Sequence, residues 1–540
     1  MADHRVSRRS VLGGIAGVAG AVTLAGCSSS GGDQADFSEP GNAKAPTYQP
    51  FDKVTPDLPG NELGVSPAFF AFPDEPVQRD GFPLPESEPV TGLLQGVPPQ
   101  IAPEKNKAYA LFREQAGNTM DATTITSSDY MDKLQVTLAG GDIPDFVQLS
   151  PVPQFPKLME KYFTDLSDVL GGDGVLKYPG LANIPPPTWD IPKINGRLWG
   201  IAQPRPPAGR ILSTRGDILD KAGIDPNPEL SSGEDFVALL AELTNKGDKT
   251  FALGSDPTGW LLPGMLEMMG APNDWAVVDG KFVSQLESEQ MLEALSESAK
   301  IIKAGYLHPN SFSDPTQNAT WWTGGTTAMY FQSFTGWGVF ARSNPDWNVG
   351  YVRLPSWDGS GKAKIFKGPA GYGAFIGIKK QDDDKRLEEL LKLADFIASP
   401  FGTQQFLDVT YGAEDFSYQM QGGNPEYLPD MSSNVVVGWG YLGGNAQAVL
   451  FAPGQDEMIK SQHAYLTEVL PDGTDNASEG LYSETELTKG ATWSTEITDL
   501  KRAIMQGEKP VSAWSEMVKE WKADVGDKMA AEFEESAANS

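Results

Sequence analysis

The chain has 540 residues, of which 72 are Asp or Glu and 42 are Lys or Arg, so its formal net charge is −30. This excess of negative charge excludes nucleic acid as a partner, because no basic patch is left to follow a phosphate backbone. Hydrophobic residues make up 40% of the chain, which excludes a disordered protein, and the length predicts two or more lobes. The single cysteine excludes disulfide bonds and cysteine-rich zinc sites.

The N-terminus carries a pattern typical of an export signal. The pair Arg8-Arg9 precedes a run of low charge over residues 11–26, and the run ends in Leu-Ala-Gly-Cys27. A charged start, an apolar run and a small-residue processing site predict that residues 1–26 are a signal peptide, and the twin arginine indicates Tat export. The final four residues resemble the bacterial lipobox, so we expect Cys27 to be lipidated. A membrane span is disfavoured, since it needs ~20 apolar residues.

Two irregular stretches follow the signal. Residues 27–60 are rich in Ser, Gly, Pro and Asp, and they predict a flexible tether between the lipid and the folded body. Residues 61–88 combine many prolines with aromatic residues, and they predict an irregular segment laid over the first lobe. The regular fold is therefore expected to begin near Val90.

From Val90 the sequence alternates between strand and helix patterns. A strand is predicted over 90–94, helices over 104–117 and 129–139, and a buried strand over 146–149. Gly117 is the expected C-cap of the first helix. This rhythm is typical of βα units that build a mostly parallel sheet.

A second set of elements repeats the rhythm. Ser231 and Glu234 have the spacing of a capping box and predict that a helix begins there. Strands are predicted over 211–213, 251–253, 327–331, 349–354 and 373–379, and the other helices over 217–222, 291–302, 383–398 and 512–533.

The segment from Tyr130 to Asp145, YMDKLQVTLAGGDIPD, resembles the Y-x-x-K-L…G-D-x-P-D segment of the family-1 extracellular solute-binding proteins of ABC importers, the maltose-binding-like class. The chain departs from the family in its Pro-rich residues 61–88, and at Asp415, where the large lipoprotein branch usually has Gly. The further stretches that resemble family patterns, in family order, are 194–201, 215–224, 323–329, 374–405 and 411–415.

The resemblance implies an α/β, two-lobed periplasmic-binding-protein-like fold, in which each lobe is a mostly parallel sheet flanked by helices. By analogy, residues 61–205 plus 373–425 form the first lobe, and residues 206–372 plus 426–540 form the second. A hinge would close both lobes on the ligand, and the membrane subunits of an ABC importer would read the closed state. The resemblance implies a receptor rather than an enzyme, expected to be a monomer without a cofactor.

The ligand expected from these residues is an oligosaccharide or a related sugar. Sugar rings lay their C–H faces on aromatic rings, and their hydroxyl groups pair with Asp, Asn and Gln. Asp256 and Trp260 follow a predicted strand and resemble the family stretch that supplies an acid and an aromatic ring to the sugar. Phe334 and Trp337 resemble the family's A-M-x…G-x-W pattern, whose aromatic residue stacks on a sugar ring.

Further candidates lie in the first lobe and near the crossings. Trp439 and Tyr441 stand between glycines and predict a second aromatic platform. Asp145 itself is interpreted as a structural carboxylate. Gln148, Ser150 and Gln154 follow Asp145, and Tyr372 lies at a predicted crossing between the lobes. These four residues complete the expected ligand site.

Two further patterns in the chain resemble known sites only in part. The GxGxxG at 438–443 lacks the strand and helix of a nucleotide site, and the acidic stretch 471–479 breaks the EF-hand spacing and predicts a solvated loop. No metal site is predicted. A secreted carbohydrate-active hydrolase stays open, because 72 acids can hide a carboxylate pair ~5–10 Å apart. A peptide or metal-chelate receptor on the same fold also stays open.

Overall fold

The computed structural model describes residues 41–96, 98–118, 120–435 and 438–538. The predicted signal peptide and Cys27 lie outside the described residues. The strands of the two large sheets are β1 (Val90–Gln95), β2 (Met120–Ile125), β3 (Phe146–Leu149), β4 (Ile201–Pro204), β5 (Arg210–Thr214), β6 (Phe251–Leu253), β7 (Thr327–Ser333), β8 (Gly350–Val352) and β9 (Gly371–Ile378).

Helices surround the two sheets. In chain order they are α1 (Lys107–Ala116), α2 (Tyr130–Gly140), α3 (Phe155–Tyr162), α4 (Ser167–Leu170), α5 (Pro179–Ala182), α6 (Gly216–Lys221), α7 (Gly233–Glu242), α8 (Leu262–Met268), α9 (Glu289–Ala304), α10 (Asn318–Thr323), α11 (Phe334–Ser343), α12 (Asp384–Ile397), α13 (Gln404–Thr410), α14 (Asp456–Val469), α15 (Glu484–Met505), α16 (Ser512–Trp521) and α17 (Asp527–Ala538).

The two sheets define two lobes, and both sheets are mixed. The first-lobe sheet has the strand order β2-β1-β3-β9-β4, and the second-lobe sheet has the order β8-β5-β7-β6. Strand β1 runs parallel to β2 and β3, whereas β9 runs antiparallel to β3 and β4. The prediction of mostly parallel sheets is wrong in this respect. The chain returns from the second lobe to the edge where β3 ends, so β9 has to run in the opposite direction.

Each lobe has its own hydrophobic core. The first-lobe sheet buries both faces, as the alternation of strand side chains requires: Phe146 and Ile376 lie in one cluster, and Val147 and Phe375 lie in the other. The second-lobe core gathers β6 and β7 with α7 to α9, and the aromatic side chains of α16 and α17 complete it. The C-terminal helices therefore belong to the second lobe.

Two crossing segments lie side by side between the lobes. The first joins β4 to β5, and the second leads from β8 into β9. The Arg205 N–H donates to the carbonyl of Ala370 at 3.3 Å, and the Gly368 N–H donates to the carbonyl of Pro207 at 3.3 Å. These two hydrogen bonds tie the crossings together, so the lobes share one two-stranded hinge here.

A third crossing lies further along the chain than the family analogy placed it. Trp439 and Leu442 are 1% and 0% exposed and belong to the first-lobe core. Leu450 and Ala452 belong to the second-lobe cluster that also contains Trp337. The assignment of residues 426–540 to the second lobe is therefore wrong for the stretch around Trp439, because its apolar side chains cover the first-lobe sheet.

The N-terminal segment passes over both lobes. The Thr47 N–H donates to the carbonyl of Gly172 at 2.9 Å on the first lobe, while Val65 and Ala68 are buried in the second-lobe cluster. The chain then returns to the first lobe, where Val77 bridges to Thr403. The predicted tether of residues 27–60 is thus too long, since residues from 41 onward pack on the body. The prediction that residues 61–88 cover only the first lobe is likewise wrong.

Candidate ligand-binding site

A cavity of about 500 Å³ lies between the two lobes. Its walls come from the first lobe, from the second lobe, and from the segment that leads into α15. The cavity meets the end of β3, the first residue of β5 and the hinge residues Gly209, Gly368 and Pro369. Its position at strand ends and beside the hinge is typical of ligand sites in α/β folds.

The aromatic wall of the cavity includes Trp260, which a short loop after β6 holds in place. The Asp256 carboxylate caps the next turn: it accepts hydrogen bonds from the Thr258 N–H at 3.1 Å and from the Thr258 hydroxyl at 3.0 Å. The Trp260 N–H donates to the carbonyl of Asp256 at 3.0 Å. Asp256 therefore fixes the turn that carries the half-buried Trp260 ring, and Trp260 itself borders the cavity.

Carboxylates concentrate at one side of the cavity. Asp274, Glu479 and Glu486 line it. Glu479 is exposed at the surface, but protein atoms surround its carboxylate and remove part of its hydration. This desolvation and the negative charges of Asp475 and Asp190 raise the pKa of Glu479 to about 6. Burial and the charge of Asp274 raise the pKa of Glu486. These carboxylates are strong hydrogen-bond acceptors for a ligand rich in hydroxyl groups.

Two of the cations that line the cavity are already ion-paired. The Arg210 guanidinium lies 2.6 Å from the carboxylate of Glu267, whose side chain is only 3% exposed. Burial raises the pKa of Glu267, and the charge of Arg210 opposes that shift. The Lys367 ammonium lies 2.6 Å from Asp475. Their positive charges are therefore largely neutralised by the protein itself.

A polar and aromatic cluster stands at the same edge of the first-lobe sheet. The Gln95 Nε2 donates to the Tyr372 hydroxyl at 3.0 Å, and the Gln95 N–H donates to Gln148 Oε1 at 2.9 Å. The Tyr372 and Tyr441 ring centroids are 4.6 Å apart, and the Arg205 Cζ lies 4.5 Å from the Tyr372 ring centroid. Burial lowers the pKa of Arg205.

Two donors in this cluster have no acceptor. Gln148 Nε2 and Arg205 Nε are buried, and neither has a hydrogen-bond partner among the described residues. Buried polar atoms are nearly always paired, so these two donors are unusual. Tyr372 directly precedes Gly373, which lines the cavity. The cluster is therefore adjacent to the cavity along the chain, but its own side chains are not among those that line the cavity.

The structure divides the predicted site residues into four groups. Trp260 lines the cavity, and Asp256 positions it. Gln148, Tyr372 and Tyr441 meet in the polar cluster.

Three aromatic residues of the expected site lie in hydrophobic cores instead. Phe334, Trp337 and Trp439 are 3%, 1% and 1% exposed. The Trp337 Nε1–H donates to the carbonyl of Val349 at 3.1 Å, and Trp337 borders a separate depression of about 510 Å³ that residues of the second lobe form. Trp439 packs edge-on against Phe146. No ring face of these residues is free to stack on a ligand in the cavity.

The remaining two candidates follow β3. Ser150 is partly buried and lies between Leu149 and Pro151, which both line the cavity. Gln154 is exposed and has a φ of 61°. Its N–H donates to the Glu484 carboxylate at 2.9 Å, across to the segment that begins α15. Gln154 therefore takes part in a contact between the lobes.

Sequence reasoning missed several residues around the cavity. The acidic stretch 471–479 was predicted to be a solvated loop, but Asn476 and Glu479 line the cavity. Arg205, which belongs to the neighbouring polar cluster, could have been noticed in the sequence, since it stands between prolines at the predicted boundary of the first lobe. No sequence pattern around Tyr482 predicted that it lines the cavity, because its position depends on packing between the two lobes.

Within the described ranges, no group of three or more His, Cys, Asp or Glu side chains is arranged to hold a metal ion. None of the helices described is both long and apolar enough to cross a membrane. The cavity is lined by aromatic rings, carboxylates and amides, by the ion-paired Arg210 and Lys367, and by Lys193.

The fold is that of a two-lobed protein with a cavity between its lobes. The sequence profile of the family described as "Bacterial extracellular solute-binding protein" matches residues 107–412. This match covers more than half of the chain, so the chain belongs to the bacterial extracellular solute-binding proteins.

Two curated relatives come from Bacillus subtilis. The chain is 20% identical over 455 residues to the polygalacturonan/rhamnogalacturonan-binding protein YtcQ, covering 80% of this chain and 88% of YtcQ. It is 21% identical over 469 residues to lipoprotein LipO, with the same coverage of 80% and 88%. Among solved structures, an HMO-binding, ABC-transporter-associated solute-binding protein from Bifidobacterium longum infantis is similar, with a TM-score of 0.62. That pair is 14% identical and covers 84% of this chain and 99% of the other.

Proposed function

We propose that this protein is the lipid-anchored receptor of an ABC importer, and that it captures an oligosaccharide outside the cytoplasmic membrane. The observation that carries the proposal is the cavity of about 500 Å³ between the lobes, which presents aromatic rings and carboxylates together. A volume of this size is typical of a site for a small organic ligand. The names of YtcQ and of the HMO-binding protein give saccharide ligands to two similar proteins.

The chemistry of the walls supports a saccharide. Trp260 offers an aromatic face for the apolar side of a sugar ring. Asp274, Glu479 and Glu486 line the cavity, and their carboxylates are acceptors for the hydroxyl groups of a sugar. A ligand with alternating apolar faces and hydroxyl edges satisfies both kinds of group.

Binding is proposed to close the lobes. Because the cavity has walls in both lobes, a ligand that fills it contacts more surface in the closed arrangement than in an open one. Such a differential contact is what shifts an open–closed equilibrium toward the closed state. The importer's membrane subunits would recognise that closed state, and the lipid on Cys27 would keep the receptor beside them.

A thermal-shift screen of the mature protein tests the ligand class. The panel contains neutral, acidic and amino oligosaccharides of three to six sugar units, with peptides of four to six residues as the comparison set. A ligand at a hundredfold excess over its Kd adds about 2.7 kcal/mol to the apparent stability. We expect at least one oligosaccharide to raise the Tm. A rise with peptides and with no oligosaccharide contradicts the carbohydrate assignment.

A glycoside hydrolase is the alternative function to test, because glycoside hydrolysis uses two carboxylates across the scissile bond and several carboxylates line the cavity. The same incubations are therefore analysed for shortened oligosaccharides. We expect every oligosaccharide to be recovered intact. Turnover that disappears in a Glu479→Gln or Glu486→Gln variant would replace the receptor assignment by an enzymatic one.

A further inference from the structure

We propose that Tyr482 and Glu484 form a latch that holds the two lobes closed, by docking on the N-terminus of α3. The inference deepens the proposed function, because it identifies residues that set the open–closed equilibrium of the receptor. The latch lies at the cavity, which Tyr482 and Ser483 line together with Phe155 of α3. The hinge residue Gly209 lines the cavity as well. Both latch and hinge thus border the same ligand space.

The backbone of the latch is fixed to the second lobe. The Tyr482 N–H donates to the Ser536 hydroxyl at 3.0 Å, and the Thr485 N–H donates to the Glu532 carboxylate at 2.9 Å. Both acceptors belong to α17, whose Phe533 lies in the second-lobe core. Further along α15, Leu500 is buried in the same core. The latch therefore moves with the second lobe.

The side chains of the latch point the other way. Tyr482 is 6% exposed, and its ring lies in the first-lobe cluster with Phe155 and Phe375. The Tyr482 hydroxyl donates to the Glu484 carboxylate. Burial raises the pKa of Tyr482, the hydrogen bond to Glu484 raises it further, and backbone hydrogen bonds from Gln154 and Phe155 oppose both effects. One aromatic side chain of the second lobe is thus packed into the core of the first.

The N-terminus of α3 in the first lobe is a suitable binding site for the Glu484 carboxylate. Helix α3 receives no side-chain hydrogen bond from its own N-cap residue, Gln154, which has the left-handed φ of 61°. The free N–H groups of a helix start favour a carboxylate. Glu484 supplies that carboxylate from the other lobe, 2.9 Å from the Gln154 N–H. The capping group of α3 is therefore available only while the lobes are closed.

Opening of the lobes has two costs. Tyr482 leaves an apolar core, and the hydrogen bond between the Gln154 N–H at the α3 N-terminus and the Glu484 carboxylate is lost. Both changes oppose opening, and neither requires a ligand. The latch thus raises the fraction of closed receptor and slows ligand release.

Distances between two spin labels test the latch without any ligand. The background is the mature chain with Cys27→Ser, in which no cysteine is left because the protein has only one. Labels are placed at Lys157→Cys on α3 and Thr495→Cys on α15, both exposed positions. Glu484→Gln, Tyr482→Phe and Tyr482→Ala are compared with Glu496→Gln, an exposed acid on the same helix. Circular dichroism and thermal melting verify that each variant is folded.

We expect the unaltered latch to give one short distance. Loss of a helix cap shifts an equilibrium by about fivefold to tenfold, so Glu484→Gln is expected to raise the long-distance fraction by that factor. Tyr482→Ala is expected to raise it more than Tyr482→Phe, and Glu496→Gln leaves it unchanged. Equal distributions for all folded variants overturn the latch. They would leave the saccharide assignment intact, since that assignment fails only if no oligosaccharide shifts the Tm.

Discussion

The guanidinium of Arg79 lies 2.5 Å from the carboxylate of Asp395, and each of the two side chains is only 9% exposed. Arg79 belongs to the N-terminal segment that passes over both lobes, whereas Asp395 belongs to α12 of the first lobe. The Asp395 carboxylate also accepts the Gly180 N–H at 2.6 Å. The pair therefore anchors the end of the segment on the first lobe.

Arg79→Met is expected to lower the free energy of unfolding by about 3 to 5 kcal/mol at pH 7, because it leaves a buried carboxylate without its cation. Burial already raises the pKa of Asp395, and Arg79 opposes that shift. Without Arg79 the carboxyl group takes up a proton more readily, so the loss is smaller at pH 5 than at pH 7. Urea unfolding at both pH values measures this. Adding Asp395→Asn to Arg79→Met should recover part of the loss; a double variant less stable than the single one contradicts the pairing.

Asp408 gives a second prediction, in which a substitution is expected to raise the free energy of unfolding instead of lowering it. The residue is 4% exposed on α13, and its carboxylate accepts Gln404 Nε2–H at 2.9 Å. Burial raises the pKa of Asp408 from 3.8 to about 6. The folded state therefore holds its proton more tightly than the unfolded state, and the stability from this group falls as the pH rises from about 4 to about 6.

Asp408→Asn keeps the hydrogen bond and removes the charge. We expect the free energy of unfolding to rise by about 1 to 3 kcal/mol at pH 7, and to be nearly unchanged at pH 3.5, where the carboxyl group is mostly protonated in both states. Urea unfolding across this pH range provides the measurement, with the exposed Glu534→Gln as the control. A gain that is the same at both pH values would mean that ionisation of Asp408 is not its cause.

Local signals in the sequence predicted much of the fold. The apolar run Phe146–Leu149 is a fully buried strand, as predicted, and Gly117 ends α1 with a φ of 66°. The helix predicted to start at the capping box of Ser231 instead uses Ser232, whose hydroxyl accepts the Asp235 N–H at 3.3 Å. Such local errors are small, because capping depends on neighbours in the chain. The antiparallel course of β9 was not predicted, since it depends on where the chain re-enters the sheet.

The site was less predictable than the fold. Trp260 and Trp337 both follow strands in glycine-containing stretches, yet only Trp260 borders the cavity as a half-buried ring. Trp337 is covered by Tyr351 and Tyr465, whose ring centroids lie 5.0 Å and 6.4 Å away. Tyr465 comes from α14, more than a hundred residues further along the chain. No pattern near Trp337 reports that contact.

The two tryptophans therefore form a matched pair for a test of the site. Trp260→Ala is expected to weaken binding of the oligosaccharide that gives the largest thermal shift by about tenfold or more, which corresponds to about 1.4 kcal/mol of lost ring contact. Its Tm without ligand should change little, because the ring is only half-buried. Isothermal titration calorimetry and thermal melting measure the two effects separately.

Trp337→Ala is expected to behave in the reverse way. Removing a tryptophan that is 1% exposed lowers the free energy of unfolding by about 3 to 5 kcal/mol. Binding by the fraction that remains folded should keep the affinity of the parent protein. Weaker binding by Trp337→Ala together with unchanged binding by Trp260→Ala would place the ligand away from the cavity between the lobes.

Cys27 provides a prediction about location that is independent of the ligand site. The lipobox-like sequence before Cys27 predicts acylation of this residue, and each buried CH₂ of an acyl chain adds ~0.8 kcal/mol to membrane binding. Cys27→Ser should therefore move the protein from the membrane fraction to the medium or the soluble fraction. Its oligosaccharide affinity in solution should equal that of the detergent-solubilised parent, since residues from 41 onward form the described body. Mass spectrometry of the N-terminal peptide identifies the acyl groups. A Cys27→Ser protein that stays in the membrane fraction would show that another element anchors it, and the uncleaved run over residues 11–26 would then be the first candidate.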